Sequence, residues 1–458
     1  MKKFGWILAG LVAAVSLILF LNSRTCLFNC ALLAEPENID ANYELKLVLD
    51  KEDNVRVDAS ITVTNSSDQS LKDIGFFLVP NAMNSKETPF YEYDDAALKL
   101  ASVSVNGKKA EYQVDNNGLL VELDQHLEPQ STVVVDINYR MRLPEYGMRL
   151  SQIDNNFYLA HWYPMLAIYK DGWVIEDYDP KGESYDTGYG NYLVSYRLPE
   201  EYLVATSAED GQMAPADSGT VKGENIKDFY LALLDPDDWE TQSIKANDTE
   251  LRVFAPKGSG VLETTAEMAA DAYIYFEEQI GDNPNIELDI IANDGYMEYP
   301  NMIEVASEQE ALESVLIHEI AHQWFYYLVT NDPFRESWLD ESLTEFSSAL
   351  YISGQNGDAD SGFEDAAFAE AAYPTEKYAN IPLDDFEEPT YYSTIYGKVP
   401  MLFKEFFEAN GGTEAAFGFL SAYYKEFQFK QVDSEAFKQF FEAYFEGDQS
   451  EFLDSWLK

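Results

Sequence analysis

Val55, Val57, Ala59, Ile61 and Val63 alternate with Arg56, Asp58, Ser60, Thr62 and Thr64, the two-residue period of a strand with one face buried. Strand-like runs recur at Val133–Tyr139 and Tyr192–Leu198, and Asn106-Gly107 reads as a hairpin turn between Val103–Val105 and Tyr112–Val114. The pattern from Asn42 to about Ser207 therefore predicts a large antiparallel β domain. The acidic, glycine-containing segment Glu209–Asp238 is expected to connect hairpins near its end, with the junction near Asn247.

Beyond that point the period becomes helical. Leu262–Ile280 predicts a helix stopped by Gly281, and Ile286–Ala292 a strand. Ser307 and Glu310 have capping-box spacing, opening a helix that should run to Asn331-Asp332-Pro333. A further helix is expected from Ser337 to Ile352 with Gly354 at its end, and another over Ser434–Phe445. The expected organisation is multidomain α and β: residues 1–30 a signal segment, 40–246 an N-terminal β domain, 247–458 a helix-rich second domain.

Composition narrows the partners. With 458 residues, 46% hydrophobic and 14% aromatic, the chain can fill more than one core. Its formal net charge of −52 argues against nucleic acid, whose phosphates need clustered Lys and Arg. Lys2 and Lys3 precede eighteen uncharged residues, Phe4–Leu21, just enough to span a bilayer. They predict an uncleaved single-pass signal anchor with the remaining chain extracytoplasmic; cleavage near Ala31 or Ala34 would give a secreted form instead. Cys26 and Cys30, the only cysteines, leave a local disulfide, free thiols and lipidation open.

The candidate chemistry sits at His318-Glu319-Ile320-Ala321-His322, an H-E-x-x-H pattern in a chain with four histidines. Positions i and i+4 project from one helix face, so both imidazoles can reach one ion. Glu341, after eighteen intervening residues in Trp338-Leu339-Asp340-Glu341, supplies the third ligand of a catalytic zinc that keeps a fourth position for water. Glu319 is then the general base.

With Gly295-Tyr296-Met297-Glu298-Tyr299, Ile395-Tyr396-Gly397-Lys398 and the ending Phe452-Leu453-Asp454-Ser455-Trp456 added, the sequence resembles the M1 family of gluzincin metallopeptidases over nearly everything after residue 40. The resemblance implies a thermolysin-like catalytic domain behind the β domain, one Zn2+ per chain, and absence of the long C-terminal helical domain of many members. It also implies roles: Glu298 receives the α-ammonium group of a peptide, and Tyr396 donates a hydrogen bond to the developing oxyanion. Glu345, four residues after Glu341, would orient a ligating histidine. His161-Trp162-Tyr163-Pro164-Met165 is also family-like, with His161 expected as a hydrogen-bonded structural histidine.

The expected activity is release of N-terminal amino acids from peptides by a membrane-anchored zinc aminopeptidase. A zinc endopeptidase on the same scaffold and a noncatalytic M1-like binding module are the alternatives. Preferred residue and oligomeric state are not legible in the sequence.

Overall fold

The computed structural model describes residues 39–82, 98–145 and 149–458. The expected signal segment and both cysteines lie outside them. Among the described residues no helix is long and apolar enough to cross a membrane.

The N-terminal half contains β1 (Ile39–Leu49), β2 (Val55–Asn65), β3 (Leu71–Phe77), β4 (Leu98–Val105), β5 (Lys108–Lys109), β6 (Tyr112–Asp115), β7 (Gly118–Leu127) and β8 (Thr132–Met141). Next come β9 (Leu150–Ile153), β10 (Asn156–Leu159), the two-residue β11 (Met165–Leu166), β12 (Ile168–Tyr169) and β13 (Trp173–Val174), then β14 (Gly190–Thr206), β15 (Ala216–Ile226) and β16 (Leu231–Leu234). One long sheet runs β5-β4-β8-β2-β1-β14-β16-β10-β9 with β15 also on β14; a second runs β11-β3-β7-β6. Val57, Ile61, Val63, Val135 and Ile137 face Phe76, Phe77, Leu119 and Val121 in one apolar cluster, as the alternation in β2 and β8 requires.

Three details differ from the pattern-based expectation. The Asn106-Gly107 turn forms, with φ of 49° and 73°, but it joins β4 to β5; Tyr112–Val114 lies in β6 of the other sheet. The β1–β14 pair is parallel in an otherwise antiparallel sheet. Residues 209–238 hold β15 and β16, because Val221, Ile226, Leu231 and Leu233 supply the apolar face that the segment's acidity obscures.

The chain then enters a separate four-stranded sheet at β17 (Trp239–Ala246), which pairs with β18 (Thr249–Pro256), followed by β19 (Glu287–Ala292) and β20 (Met302–Val305). Helix α1 (Leu262–Gln279) packs on β17 and β18, and α2 (Gln309–Ala321) packs on α1 and on α3 (Glu341–Asn356). Alanines at 266, 269 and 270 and the buried Phe276 form the inner face of α1. An aromatic cluster around Phe403, Phe407, Phe419, Phe437, Phe441 and Trp456 closes the C-terminal helices on one another.

The boundaries of two helices also move. Ser307 does not cap α2: its backbone N–H and hydroxyl both donate to Asp294, a charge-assisted pairing that holds the loop below β20. Helix α2 ends at Ala321 rather than near Pro333. His322 keeps its helical bond to the His318 carbonyl, but Tyr326, at φ 143°, turns the chain so that its N–H donates to Val329. Helix α3 starts at Glu341 and runs past Gly354 to a left-handed cap at Gly357.

Candidate metal centre and active site

Helices α2 and α3 bring His318, His322 and Glu341 to one point. Their ligand atoms lie within 4.8 Å of one another and could hold a metal ion. The two Nε2 atoms are 3.0 Å apart, and Oε2 of Glu341 is 3.3 Å from each. A tetrahedral zinc with ligands at about 2.0–2.1 Å separates those ligands by about 3.3 Å, so the triangle fits such an ion.

Neighbours fix which nitrogen faces inward. Nδ1 of His318 lies 2.9 Å from Oε2 of Glu345, and Nδ1 of His322 lies 3.0 Å from the carbonyl oxygen of Phe325 and 3.2 Å from Oγ1 of Thr344. With Nδ1–H donated outward, each Nε2 is left with a lone pair for a cation. Asp340 accepts from the Glu341 N–H as the N-cap of α3, which fixes the start of the helix at Glu341 itself.

Glu298 and Glu319 form a second close group with His322, their donor atoms also within 4.8 Å. The first set suits zinc better, since it joins two oriented imidazoles to one carboxylate and leaves Glu319 free. Glu319 is buried with Oε2 unpartnered, and burial, reinforced by Glu298 and Glu341, drives its carboxyl well above the ordinary carboxylate range despite His318. A carboxylate so placed has proton affinity to spare.

Glu298 follows the bridge between Met297 and Glu304 and is itself buried; burial raises its carboxyl, with His322 opposing and Glu341 reinforcing the shift. Tyr396 sits in a π-helical turn, Ser393–Lys398, whose Ile395 carbonyl accepts a hydrogen bond from Ser342 of α3. Gly397 permits that turn to press on helix α4 (Glu364–Ala372), since a Cβ there would lie 2.5 Å from the Glu370 nitrogen. The Tyr396 ring is 5.9 Å from that of His318, and burial together with Glu341 keeps its phenol protonated far into the alkaline range.

These groups line a cleft of about 480 Å³ that also contains Arg149, Lys181, Tyr296 and Tyr392. Arg149 carries no sequence signal and comes from the β domain. Its guanidinium is buried, Nη1 pairs with Glu183, and Nε has no partner. His161 lies behind this pair, buried at φ 51°, with Nε2 3.9 Å from Glu183 and Nδ1 without a partner. Burial pushes its pKa down to about 4, so it is neutral and less fully hydrogen-bonded than expected.

A mostly antiparallel β unit followed by a mixed, helix-rich unit that holds this His-His-Glu group matches the two-domain fold of M1 zinc metallopeptidases of solved structure. Residues 283–456 match the family model for the peptidase family M1 domain, so the chain carries an M1 domain, and that domain implies one zinc ion. The chain is 33% identical over 60 residues to glutamyl aminopeptidase of Rattus norvegicus, a match spanning 13% of this chain and 6% of that relative's length. Its fold is similar to that of an M1 zinc metallopeptidase from Deinococcus radiodurans (TM-score 0.64, 15% identity, 93% of this chain and 95% of that one). It is also similar to leukotriene A4 hydrolase from Saccharomyces cerevisiae (TM-score 0.63, 16% identity, 95% and 70%).

Proposed function

We propose that this protein is a zinc aminopeptidase that removes N-terminal residues from peptides. The observation carrying the reading is the placement of Glu298: a buried carboxylate whose donor atom lies within 4.8 Å of those of Glu319 and His322. An anion so close to the metal centre suits the α-ammonium of a peptide and would put the first peptide bond over the metal. A mutant form of the Deinococcus radiodurans relative binds a Tyr-Ser-Ala substrate, which agrees with a peptide in this cleft.

His318, His322 and Glu341 would hold the ion, with Glu345 orienting His318. Zinc in such a centre polarises a carbonyl oxygen and makes water acidic enough to lose a proton near neutral pH. Glu319 takes that proton and returns it to the leaving amine. Tyr396 donates its phenolic O–H to the oxygen on which negative charge develops. Arg149, held by Glu183, offsets the carboxylates crowding this cleft.

Free-amine peptides should be cleaved one residue at a time while N-acetylated copies survive. Equal internal cleavage of both would favour the endopeptidase reading instead. We place the catalytic part outside the cytoplasm, held at the membrane by residues 4–21, on the strength of that segment's composition. Native protein should then resist alkaline carbonate extraction, and a solely soluble form starting near Ala31 would refute the anchor.

A further inference from the structure

Tyr296 lines the catalytic cleft in a conformation that its residue type rarely adopts. Its φ is 53°, in the left-handed region where a bulky L side chain crowds its own backbone, and the residue is 47% exposed, so burial does not account for it. The neighbouring Gly295 is not the left-handed residue of this loop; a Cβ there would lie 2.7 Å from the Cβ of Glu304. Bonds on both sides pin the loop around Tyr296. The Asp294 N–H donates to the Val305 carbonyl while its carboxylate accepts from Ser307, Oδ1 of Asn293 accepts from the Gly295 N–H at 3.1 Å, and Met297 and Glu304 exchange backbone hydrogen bonds. An unfavourable backbone held this firmly is characteristic of segments that clamp a ligand.

Helix α2 shows which end of the cleft the ring serves. Glu298 is grouped with Glu319 and His322, at the C-terminal end of that helix. Ser314 and Val315 line the cleft one turn before His318 on the same helix face, towards the other end. Tyr296 belongs to that other end: burial and then the carboxylates of Asp294 and Glu308 raise its phenol, and Glu308 is the N-cap of α2. Tyr392 reaches the same region from another element. It is 44% exposed, and its ring lies 5.6 Å from that of Tyr396, which in turn lies 5.9 Å from that of His318.

A peptide with its amine at Glu298 and its first carbonyl at the His-His-Glu group therefore continues past His318 towards Ser314 and Val315. An extended chain advances about 3.3 Å per residue and a helical turn spans about 5.4 Å, so the second residue reaches that turn. Glu345, in contact with His318, and Asp365 of α4 also line the cleft, so a carboxylate on the second residue would meet like charge. Lys181 does not offset them, being paired with Asp179 at 2.7 Å.

We propose that Tyr296 is a specificity-determining residue that forms, with Val315 and Tyr392, a subsite for the side chain of the substrate's second residue. The protein then favours peptides with an aromatic or large aliphatic residue directly after the scissile bond and disfavours an acidic one there. The inference rests on the aminopeptidase reading for the position of the amine, and on the Tyr296 loop for the subsite.

The test compares kcat/KM for release of the first residue from Leu-Phe-Gly-Gly, Leu-Ala-Gly-Gly, Leu-Glu-Gly-Gly and Phe-Ala-Gly-Gly. The zinc-loaded wild-type protein should favour phenylalanine over alanine at the second position by about tenfold or more, with glutamate below alanine. Tyr296→Phe should keep that ratio. Tyr296→Gly removes the ring and relieves the left-handed backbone, so its Tm should equal or exceed that of wild type while the ratio falls towards one. A control, Tyr112→Ala, removes an exposed tyrosine of β6 outside the cleft and should leave the ratio intact. A wild-type ratio near one, a ratio that survives Tyr296→Gly, or one lost in Tyr296→Phe overturns the proposal. So does a Tyr296→Gly protein that loses instead the discrimination between Phe-Ala-Gly-Gly and Leu-Ala-Gly-Gly, which would put the ring at the first residue. Should no free-amine peptide lose its first residue, the aminopeptidase reading fails separately. The subsite is then judged by calorimetry: wild type should bind Leu-Phe-Gly-Gly about tenfold more tightly than Leu-Ala-Gly-Gly, and equal affinities, or a difference unchanged in Tyr296→Gly, overturn it as well.

Discussion

Oε2 of Glu345 lies 2.9 Å from Nδ1 of His318, one helical turn beyond Glu341 on α3, so a single helix supplies both one member of the candidate metal group and a carboxylate in contact with another. The contact fixes the imidazole with Nε2 facing His322 and Glu341, and it makes the ring a stronger donor. Glu345→Gln keeps the shape and weakens the acceptor. Zinc affinity should fall about 10-fold or more, the scale for such outer partners, while Thr344 and Phe325 continue to hold His322. Competition with a chelator measures it; unchanged affinity would make Glu345 a bystander.

Glu319 is adjacent to one histidine and buried, yet its unpartnered oxygen makes it available for proton transfer. Glu319→Gln should bind a full equivalent of zinc and lose turnover by about 100-fold or more. Loss of zinc together with activity would place Glu319 among the ligands instead.

Tyr396 should act where charge develops, not where substrate first binds. Its O–H meets an oxyanion more strongly than a carbonyl, so Tyr396→Phe should lower kcat by about 10² with KM little changed. The ring would still pack on Tyr391 and Tyr392, whose centroids lie 6.1 and 5.6 Å away, so the variant should fold normally. A change in KM alone would reassign it to substrate binding.

The clustering of His318, His322 and Glu341 was legible in the sequence because helical pitch alone places the two histidines together, and only Glu341 had to be guessed across a turn. Glu345 followed from the same periodicity. Arg149 and Glu183 were not, because their relation to the cleft is made by the β unit folding back on the catalytic one, and neither sits in a recognisable pattern. Ser307 misled for a local reason: its spacing to Glu310 fits a cap, but Asp294 offers its hydroxyl a charged acceptor at 2.6 Å. The end of α2 was hidden too, since no proline or glycine marks the turn that Tyr326 makes.

Glu304 provides a pH signature separate from catalysis. Its carboxylate accepts from Tyr230 and Asn293, both at 2.6 Å, but burial outweighs these bonds and pushes its pKa up to about 7. A carboxyl whose folded pKa exceeds its unfolded value holds its proton longer in the native state. Stability from this group is therefore greatest below the unfolded value, about 4.5, and declines as pH rises through about 7. Glu304→Gln should flatten the fall in Tm between those values, removing a dependence on the order of 3 kcal/mol. An unchanged Tm profile would show that Glu304 is already ionised at acidic pH.

On the proposed aminopeptidase reading, exopeptidase register would depend most on Glu298, which must present its charge although burial and neighbouring carboxylates oppose ionisation. A substrate ammonium and the bound metal both favour the charged form, so the pairing should form with substrate in place. Glu298→Ala should then reduce kcat/KM for free-amine peptides by about 10²–10³, the scale of a buried charge-assisted contact, while zinc content stays at one equivalent. N-acetylation of the substrate removes the same interaction from the other side, so wild type on acetylated peptide and Glu298→Ala on free peptide should be similarly slow. Combining the two changes should add little further loss, because one contact cannot be lost twice. Losses that multiply, or acetylated peptides cleaved at internal bonds as fast as free ones, would separate Glu298 from the amino terminus and leave a zinc endopeptidase as the better reading.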